Sequence, residues 1–539
     1  MNVAQAIVQF LEQSGVPYVF GIPGEETLDL LDALKHSNIQ FVVTRHEQGA
    51  AFMAATYGRL TGVPGVCLTT LGPGAVNAMT GIAYAFLGQM PMLLISGQKP
   101  VGEVKQGNFQ MVDVIGAMQP ITLLSQRLVK AEAVSSLVFN ALYACSSFPY
   151  GPVHIELAED VAKRAVPDNL ARVNQFEINH LPAAADRDIA EVAALINKAT
   201  APLLICGQHA CRPGVAGALQ TFIANTGIPF ATTQMGKGAL DEAHDLYRGT
   251  TALSEDDFVH KVAAQADMLI MVGHNESEKP PLMACCHKQM ILHIHDVAPV
   301  INETYFPSHA LVGDMAATIS GLAEKLGRGT GDQFGQLNTA FLRHEERLRK
   351  DADPLQIVDQ VRDAMADDGI VTLDNGMYKI WFARHYRAHQ PNTLLLDNAL
   401  ATMGAGLPSA IAAKLAHPER DVLAVCGDGG FMMTGQELET AVRLKLDIVV
   451  LILCDNQFGM IRWKQQEDGY DNFGMDFQNP DFAVLAQSYG AHGHRIEDTA
   501  KLGEKIATCQ QQGGVHVIET PIDYSADRIF SELDEITKI

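Results

Sequence analysis

The sequence predicts an α/β protein of three doubly wound domains, each built on a parallel sheet. Three observations lead there. Short apolar runs alternate with Ala-rich helical stretches along the chain. At 539 residues the chain is too long for one hydrophobic core, and its length suggests roughly three domains. The apolar runs also fall into three blocks of similar size, separated by polar stretches.

In the first block, expected to span 1–178, residues 18–20, 41–43, 65–69, 92–95 and 153–155 read as strands, and the signal ends near Pro167. Residues 179–186 are polar and Ala-rich and read as a connector into a second block, 179–327. Its strands are expected at 203–206, 268–272 and 290–293. Residues 328–353 are rich in glycine and charge and read as a linker. The third block, 354–539, carries apolar runs at 370–373, 422–425, 448–453 and 516–519. No short repeat is visible.

Hydrophobic residues make up 47% of the chain and charged ones 19%, as in a globular protein with a large buried volume. The net charge of −23 argues against nucleic acid or an anionic membrane as partner. No apolar run reaches the length of a membrane span. The opening Met1-Asn2-Val3-Ala4-Gln5 shows no basic region or cleavage site. The nine cysteines are scattered without a Cys-x-x-Cys. Cys285-Cys286-His287 and the set Cys206, His209 and Cys211 lack zinc-finger spacing and read as ordinary thiols. A reducing, cytoplasmic setting is the expectation.

The segment 427–456 carries the most chemistry. Gly427-Asp428-Gly429-Gly430 follows one apolar run, and Asp455-Asn456 follows the next. Both ends fall on the carboxyl edge of a parallel sheet, where open α/β folds bind ligands. Two carboxylates converging there suit Mg²⁺ or Ca²⁺, and the glycines let backbone N–H groups approach phosphate. Metal and glycine turn together imply a diphosphate; the alternative is a strand-turn-helix glycine with no ligand.

A second constellation lies near the amino end. Arg45-His46-Glu47 follows a strand and opens a helix. A helix N-terminus favours an ionised acid there, whereas an apolar pocket would raise its pKa. Taken alone, Glu47 could equally satisfy unpaired N–H groups. Thr70-Leu71-Gly72-Pro73-Gly74 forms a glycine turn after the next strand, with Asn77 in the helix beyond. It admits a ligand ring or phosphate, or tight packing.

Taken in order, Gly21-Ile22-Pro23-Gly24, Arg45-His46-Glu47, Gly72-Pro73-Gly74-Ala75-Val76-Asn77 and the Gly-Asp-Gly segment resemble the thiamine-diphosphate enzymes of the acetolactate synthase and pyruvate oxidase group. Asp428 and Asp455 stand 455 − 428 = 27 residues apart, close to that family's interval, with Cys454-Asp455 where it has Asn-Asn. Asp374-Asn375-Gly376, Ile380-Trp381, the run from Thr402-Met403-Gly404 to Pro408, Glu437 to Lys445, and Pro521-Ile522-Asp523-Tyr524 look most like the catabolic, FAD-independent acetolactate synthase.

The resemblance implies a thiamine pyrimidine-binding domain, a middle domain and a diphosphate- and metal-binding domain. It implies a homodimer or homotetramer with active sites between subunits. It gives Glu47 the aminopyrimidine ring nitrogen, Met403 the wedge that bends the cofactor, and the Ala401 carbonyl the amino group. Asp428, Asp455 and the Gln457 carbonyl would hold Mg²⁺ or another divalent cation. Gly24, Gly72, Pro73, Asn77, Gly376, Gly427, Gly429, Gly430 and Met460 would line thiamine diphosphate. Phe109 and Gln110 match a Phe-Gln near the substrate; Gln110 would touch the acceptor, and Phe109 could instead be a core aromatic.

The implied reaction is decarboxylative carboligation of 2-keto acids, with two pyruvates giving 2-acetolactate and carbon dioxide. Related decarboxylases carry adjacent histidines, and none occur here, which favours carbon–carbon bond formation. Three departures stand out. Lys464 lies four residues after Met460, where biosynthetic relatives place a selectivity tryptophan; it would pair with a substrate carboxylate or be solvated. Glu25-Glu26 replaces a lysine of the catabolic enzymes, which points to another substrate or to a solvent-facing pair. His274-Asn275-Glu276-Ser277-Glu278 lacks the flavin signature, so FAD is not expected. The rivals are a related lyase or synthase on another 2-keto acid or aldehyde, a flavin-linked pyruvate oxidase, and a cofactor-binding regulatory or structural subunit, against which Glu47, Asp428 and Asp455 argue.

Overall fold

Parallel pairing needs a crossover after every strand, and the alternating sequence supplies one each time. The computed structural model describes residues 1–102, 108–167, 181–251, 253, 258–278, 289–303, 305–327, 333–351 and 353–524. They form three six-stranded sheets. The first holds β1 Tyr18–Gly21, β2 Gln40–Val43, β3 Gly65–Thr69, β4 Met92–Gln98, β5 Leu124–Leu128 and β6 Pro152–Ala158, in the order β2-β1-β3-β4-β6-β5. The second holds β7 Pro202–Cys206, β8 Phe230–Thr232, β9 Tyr247–Thr250, β10 Met268–Val272, β11 Met290–His295 and β12 His309–Val312, in the order β12-β11-β10-β7-β8-β9. The third holds β13 Ile370–Leu373, β14 Leu394–Leu395, β15 Val422–Gly427, β16 Ile448–Cys454, β17 His492–Arg495 and β18 Val515–Pro521, in the order β14-β13-β15-β16-β18-β17. The first and third sheets follow the same path, and every named pairing is parallel.

Every strand read from the sequence is present. Six others, β5, β8, β9, β12, β14 and β17, are not marked by clear apolar runs. Five of these are sheet edges, and β8 has only three residues. An edge strand meets solvent on one side, so its residues are mixed: β17 reads His-Gly-His-Arg and is not fully buried anywhere.

The helix Glu47–Thr61 is buried along most of its length because alanine and glycine dominate it. On one side it packs against the helix Pro73–Leu87, so closely that a Cβ on Gly81 would lie 2.4 Å from that of Ala51. On the other it meets the helix Gly406–Ala416, where Thr56 and Ser409 share a buried 2.9 Å hydrogen bond. One hydrophobic cluster therefore runs from Ala50–Ala55 through Leu407 and Ala410–Ala413, joining the first and third units. The middle unit has its own core around Leu219, Phe222, Phe230 and Ile270.

The expected linker is no free tether. It contains the helix Gly335–Asp351, docked on the third unit where Glu345 accepts from His385 at 2.7 Å and pairs with Arg387 at 3.3 Å. Cys206, His209 and Cys211 are buried, with the Cys211 thiol donating to the Lys237 carbonyl at 3.5 Å. Cys285-Cys286-His287 lies outside the described residues. No helix among the described residues is long and apolar enough to cross a membrane.

Candidate active site

The carboxyl ends of β15 and β16 open into a cavity of about 1080 Å³. Asp428 begins the helix directly after β15, and Asp455 follows β16. Adjacency of those strands brings the two acids together. The Asp428 carboxylate accepts the N–H of Gly429 at 2.8 Å, that of Asn456 at 2.8 Å and the Asn479 amide at 2.8 Å. Burial, and then the negative charge of Asp428, push the Asp455 carboxyl up to about 7. Two facing carboxylates with this mutual repulsion form an oxygen donor set that a divalent cation would neutralise. The N-terminus of the helix Gly459–Glu467 also reaches the cavity at Gly459 and Met460, and exposed N–H groups there favour an anion. The residues present thus fit a metal-bound diphosphate.

The opposite wall is a pinned loop. Ala401 sits at φ +53°, a left-handed conformation that costs a side-chain-bearing residue of order 1–3 kcal/mol. Its N–H donates to Asp397 at 2.7 Å. The Asn375 amide donates to the Thr402 carbonyl at 2.6 Å, and Gly404 N–H donates to Asp374 at 2.8 Å. Asp374 is fully enclosed, and burial pushes its carboxyl up to about 6 against three further backbone donors. Tyr378 completes the frame by accepting the Gly427 N–H at 2.8 Å. Ala401 and Met403 are held facing the cavity by groups that make no use of helix or strand pairing.

The cavity collects Gly376, Ala401, Met403, Gly427, Asp428, Gly429, Gly430, Asp455, Gln457, Met460 and Lys464. Gln234, Leu253 and Ser277 of the middle unit join them. Lys464 lies at the rim, 56% exposed, paired with Glu467 at 2.7 Å and Asp468 at 3.4 Å on its own helix.

A second group assembles at the carboxyl edge of the first sheet. Glu47 is 7% exposed and opens its helix, with His46 as the capping residue before it. Asn77, on the facing helix, donates its amide to Glu47 at 3.0 Å. Gly72 holds φ +41°, and a Cβ there would lie 2.3 Å from the Gln110 carbonyl, so the glycine turn and the Phe109-Gln110 turn are packed together. Pro73 occupies the first turn of the helix, where a missing N–H is harmless. Gly24 N–H donates to the Thr27 hydroxyl at 3.1 Å beside Thr70. Phe109 is 70% exposed, so it is not a core aromatic within the single chain. None of Gly24, Glu47, Gly72, Pro73, Asn77, Phe109 and Gln110 lines the cavity of the same chain.

One correction concerns the glutamates. Glu25 is exposed, but Glu26 is buried, which rules out a solvent-facing pair. Its carboxylate accepts from Lys99 at 2.7 Å and from Thr70 at 2.6 Å. Burial acts to raise its pKa, yet these donors hold it below the usual carboxylate range. Asp374, Asp397, Tyr378 and Asn479 were not anticipated as site residues. Asp374 has a local signal, its place before Asn375-Gly376; Asp397 acts within its own loop, four residues from Ala401, whereas Tyr378 and Asn479 act across distant chain segments and leave none.

Three family profiles match the chain in order. Residues 1–117 match the thiamine pyrophosphate enzyme N-terminal TPP binding domain, 189–322 its central domain, and 374–520 its C-terminal TPP binding domain. The chain is 32% identical to the acetolactate synthase of Bacillus subtilis (strain 168), over 99% of this chain and 96% of that one. It is 32% identical to the catabolic acetolactate synthase of Raoultella terrigena, covering 97% and 95%. It is 31% identical to the acetolactate synthase isozyme 2 large subunit of Escherichia coli (strain K12), covering 97% and 96%.

Proposed function

The chain belongs to the thiamine pyrophosphate enzyme family, an acetolactate synthase-like branch of it, and from that premise we propose that it joins two 2-keto acids with loss of carbon dioxide, converting two pyruvates to 2-acetolactate. The observation that carries this reading is the single cavity whose walls hold Asp428 and Asp455 on one side and the strained Ala401–Met403 loop on the other. Thiamine diphosphate, when bound, supplies the electron sink for decarboxylation. Asp428, Asp455 and the Gln457 carbonyl would hold a divalent cation against its diphosphate, and the N-terminus of Gly459–Glu467 would add N–H donors. The Ala401 carbonyl would orient the amino group, and Met403 would keep the rings folded together. Glu47 would hold a proton against the aminopyrimidine ring nitrogen, a positioned acid/base contact of the kind that contributes about two to four orders of magnitude.

Glu47 and Gln110 lie outside the cavity of their own chain. We read this as a site completed by a second copy, in a homodimer or homotetramer; the Escherichia coli relative is itself named as a large subunit. What supports a flavin-free reading is the middle sheet's switch point between β7 and β10, where a dinucleotide would bind. There Gln208 and Asn275 are buried, bonded to each other at 2.6 Å, and donate to the carbonyls of Gly88 and Leu87.

The test is incubation with thiamine diphosphate, Mg²⁺ and a panel of 2-keto acids, reading carbon dioxide and coupled products. Acetolactate from pyruvate is the expected result. Carbon dioxide from another 2-keto acid without acetolactate from pyruvate would favour the second reading, a related lyase or synthase. The buried Glu26, which stands with Glu25 where catabolic relatives carry a lysine and is paired with the half-exposed Lys99, is the feature that favours that alternative.

A further inference from the structure

At the opposite end of the third sheet, three side chains from three elements converge. His516 is the second residue of β18, so it lies at the amino end of a strand whose carboxyl end faces the catalytic side. β17 pairs with β18 in parallel, with His492 opposite His516. Alternation along a strand puts His492 and His494 on one face. Their rings stack on that of His516, with centroids 4.7 Å and 5.3 Å away. The helix Leu502–Gln512 brings the buried Cys509 to the same place. The ligand atoms of His494, Cys509 and His516 all lie within 4.8 Å of one another, and no other such trio of His, Cys, Asp or Glu occurs among the described residues.

We propose that His494, Cys509 and His516 bind one borderline-soft divalent cation of the zinc class, in a site separate from the catalytic cavity. The hydrogen bonding already favours it. His516 Nε2 stands 3.0 Å from the Gly513 carbonyl, which can only accept, so that nitrogen carries the proton. Nδ1 is then a bare lone pair that accepts from His494 Nε2 at 3.0 Å, and when a metal takes both nitrogens the His494 proton moves to that ring's Nδ1. A histidine whose far nitrogen donates to a backbone carbonyl is the usual arrangement around a bound metal. A tetrahedral Zn²⁺ with Zn–N bonds near 2.0 Å holds two nitrogens about 3.3 Å apart, so these two rings need little movement. The third donor is a thiol, which selects zinc-class ions over Mg²⁺.

The local charges divide. Burial raises the Cys509 thiol pKa, and Lys505, one turn earlier on the helix, lowers it. Asp447 accepts the Gly514 N–H at 2.5 Å beside His516 and favours a cation there. On binding, the thiol proton passes to water and the thiolate becomes the ligand. Three protein donors leave a fourth position for water, reached past the partly exposed His494. The bound ion would fasten the four-residue edge strand β17 to its covering helix.

Co²⁺ is the probe, added to protein already saturated with thiamine diphosphate and Mg²⁺. The expected result is one equivalent bound per chain, with tetrahedral d–d bands and a thiolate-to-cobalt charge-transfer band, both bleached by Zn²⁺. Cys509→Ala should abolish the charge-transfer band. His494→Gln, on the partly exposed edge, should weaken binding by more than the roughly 10–100-fold that an outer-shell change costs. Absence of the charge-transfer band, its persistence in Cys509→Ala, or a purely octahedral spectrum would overturn the proposal. Cobalt displacing Mg²⁺ from oxygen ligands gives no thiolate band, so the two sites are told apart.

Discussion

Glu437 reaches from the third unit into the first, where its carboxylate accepts the backbone N–H of His46 at 3.0 Å. The same oxygen accepts the Arg45 N–H at 3.0 Å, and the Thr440 hydroxyl donates to the other at 2.7 Å. The residue immediately before Glu47 is thereby fixed by a side chain 391 positions away.

Glu437→Ala leaves two N–H groups without their partner, at about 1–3 kcal/mol for each one that stays buried and unsatisfied. Thermal unfolding should show a lowered midpoint, with turnover falling alongside it. An unchanged midpoint would mean that water replaces the carboxylate without loss.

The same residue sets a pH dependence. Burial pushes the Glu437 carboxyl up to about 7 in the folded protein, from 4.5. The folded state then binds more protons than the unfolded state between those values. Its contribution to stability is therefore fully present below about 4.5 and is lost as pH rises through 7. Glu437→Gln keeps an acceptor oxygen and does not titrate, so denaturation curves from pH 5 to 8 should be flatter for the variant than for the parent.

Glu345 behaves oppositely. Burial alone would raise its pKa, but donation from His385 and the charges of Arg387 and Arg349 hold it down at about 2. Its contribution is present above 4.5 and is lost as pH falls toward 2. Glu345→Gln should lower stability at pH 7 and weaken the acid dependence below 4.5, read by urea unfolding at pH 3, 5 and 7.

Glu47→Gln should abolish turnover while cofactor binding persists, and Asp428→Ala should abolish metal-dependent cofactor binding. Co-expression of the two variants distinguishes the assemblies. If each site takes Glu47 from one chain and Asp428 from the other, mixed dimers regain one intact site, with activity up to about half of normal per mixed dimer. A site built within one chain regains nothing.

Lys464 is engaged by Glu467 and Asp468, and exposed pairs of this kind are screened by solvent and hold the side chain only weakly. Lys464→Gln should therefore change the KM for the 2-keto acid by less than about fivefold and leave kcat alone. A larger change, or a new product ratio between competing keto acids, would show that the ammonium leaves its partners to meet substrate.

The cavity's glycines and acids could be read from the sequence because they sit in consecutive positions after apolar runs. A strand's carboxyl end places its next residues at the sheet edge whatever the tertiary packing. Glu437 and Asn479 act on partners 391 and 51 positions away, and no local spacing announces those contacts. Glu25-Glu26 illustrates the limit: two adjacent identical residues meet opposite fates because the chain turns between them. The same holds for the soft-metal trio. Cys206, His209 and Cys211 lie close together in the sequence, whereas His494, Cys509 and His516 are brought together by a strand pairing and a helix. The missed strands were mostly edges, where half-exposed residues dilute the apolar signal.

Because Ala50–Ala55 and Ala410–Ala413 belong to one core, the outer two units share a large part of their interiors, beside the core that each keeps on its far side. A calorimetric scan should resolve two endotherms rather than three, the middle unit melting on its own and the flanking pair as one. Expressed alone, either flanking unit would present an alanine-lined face to water and precipitate, so dissection of this protein into modules will succeed only for the segment between them.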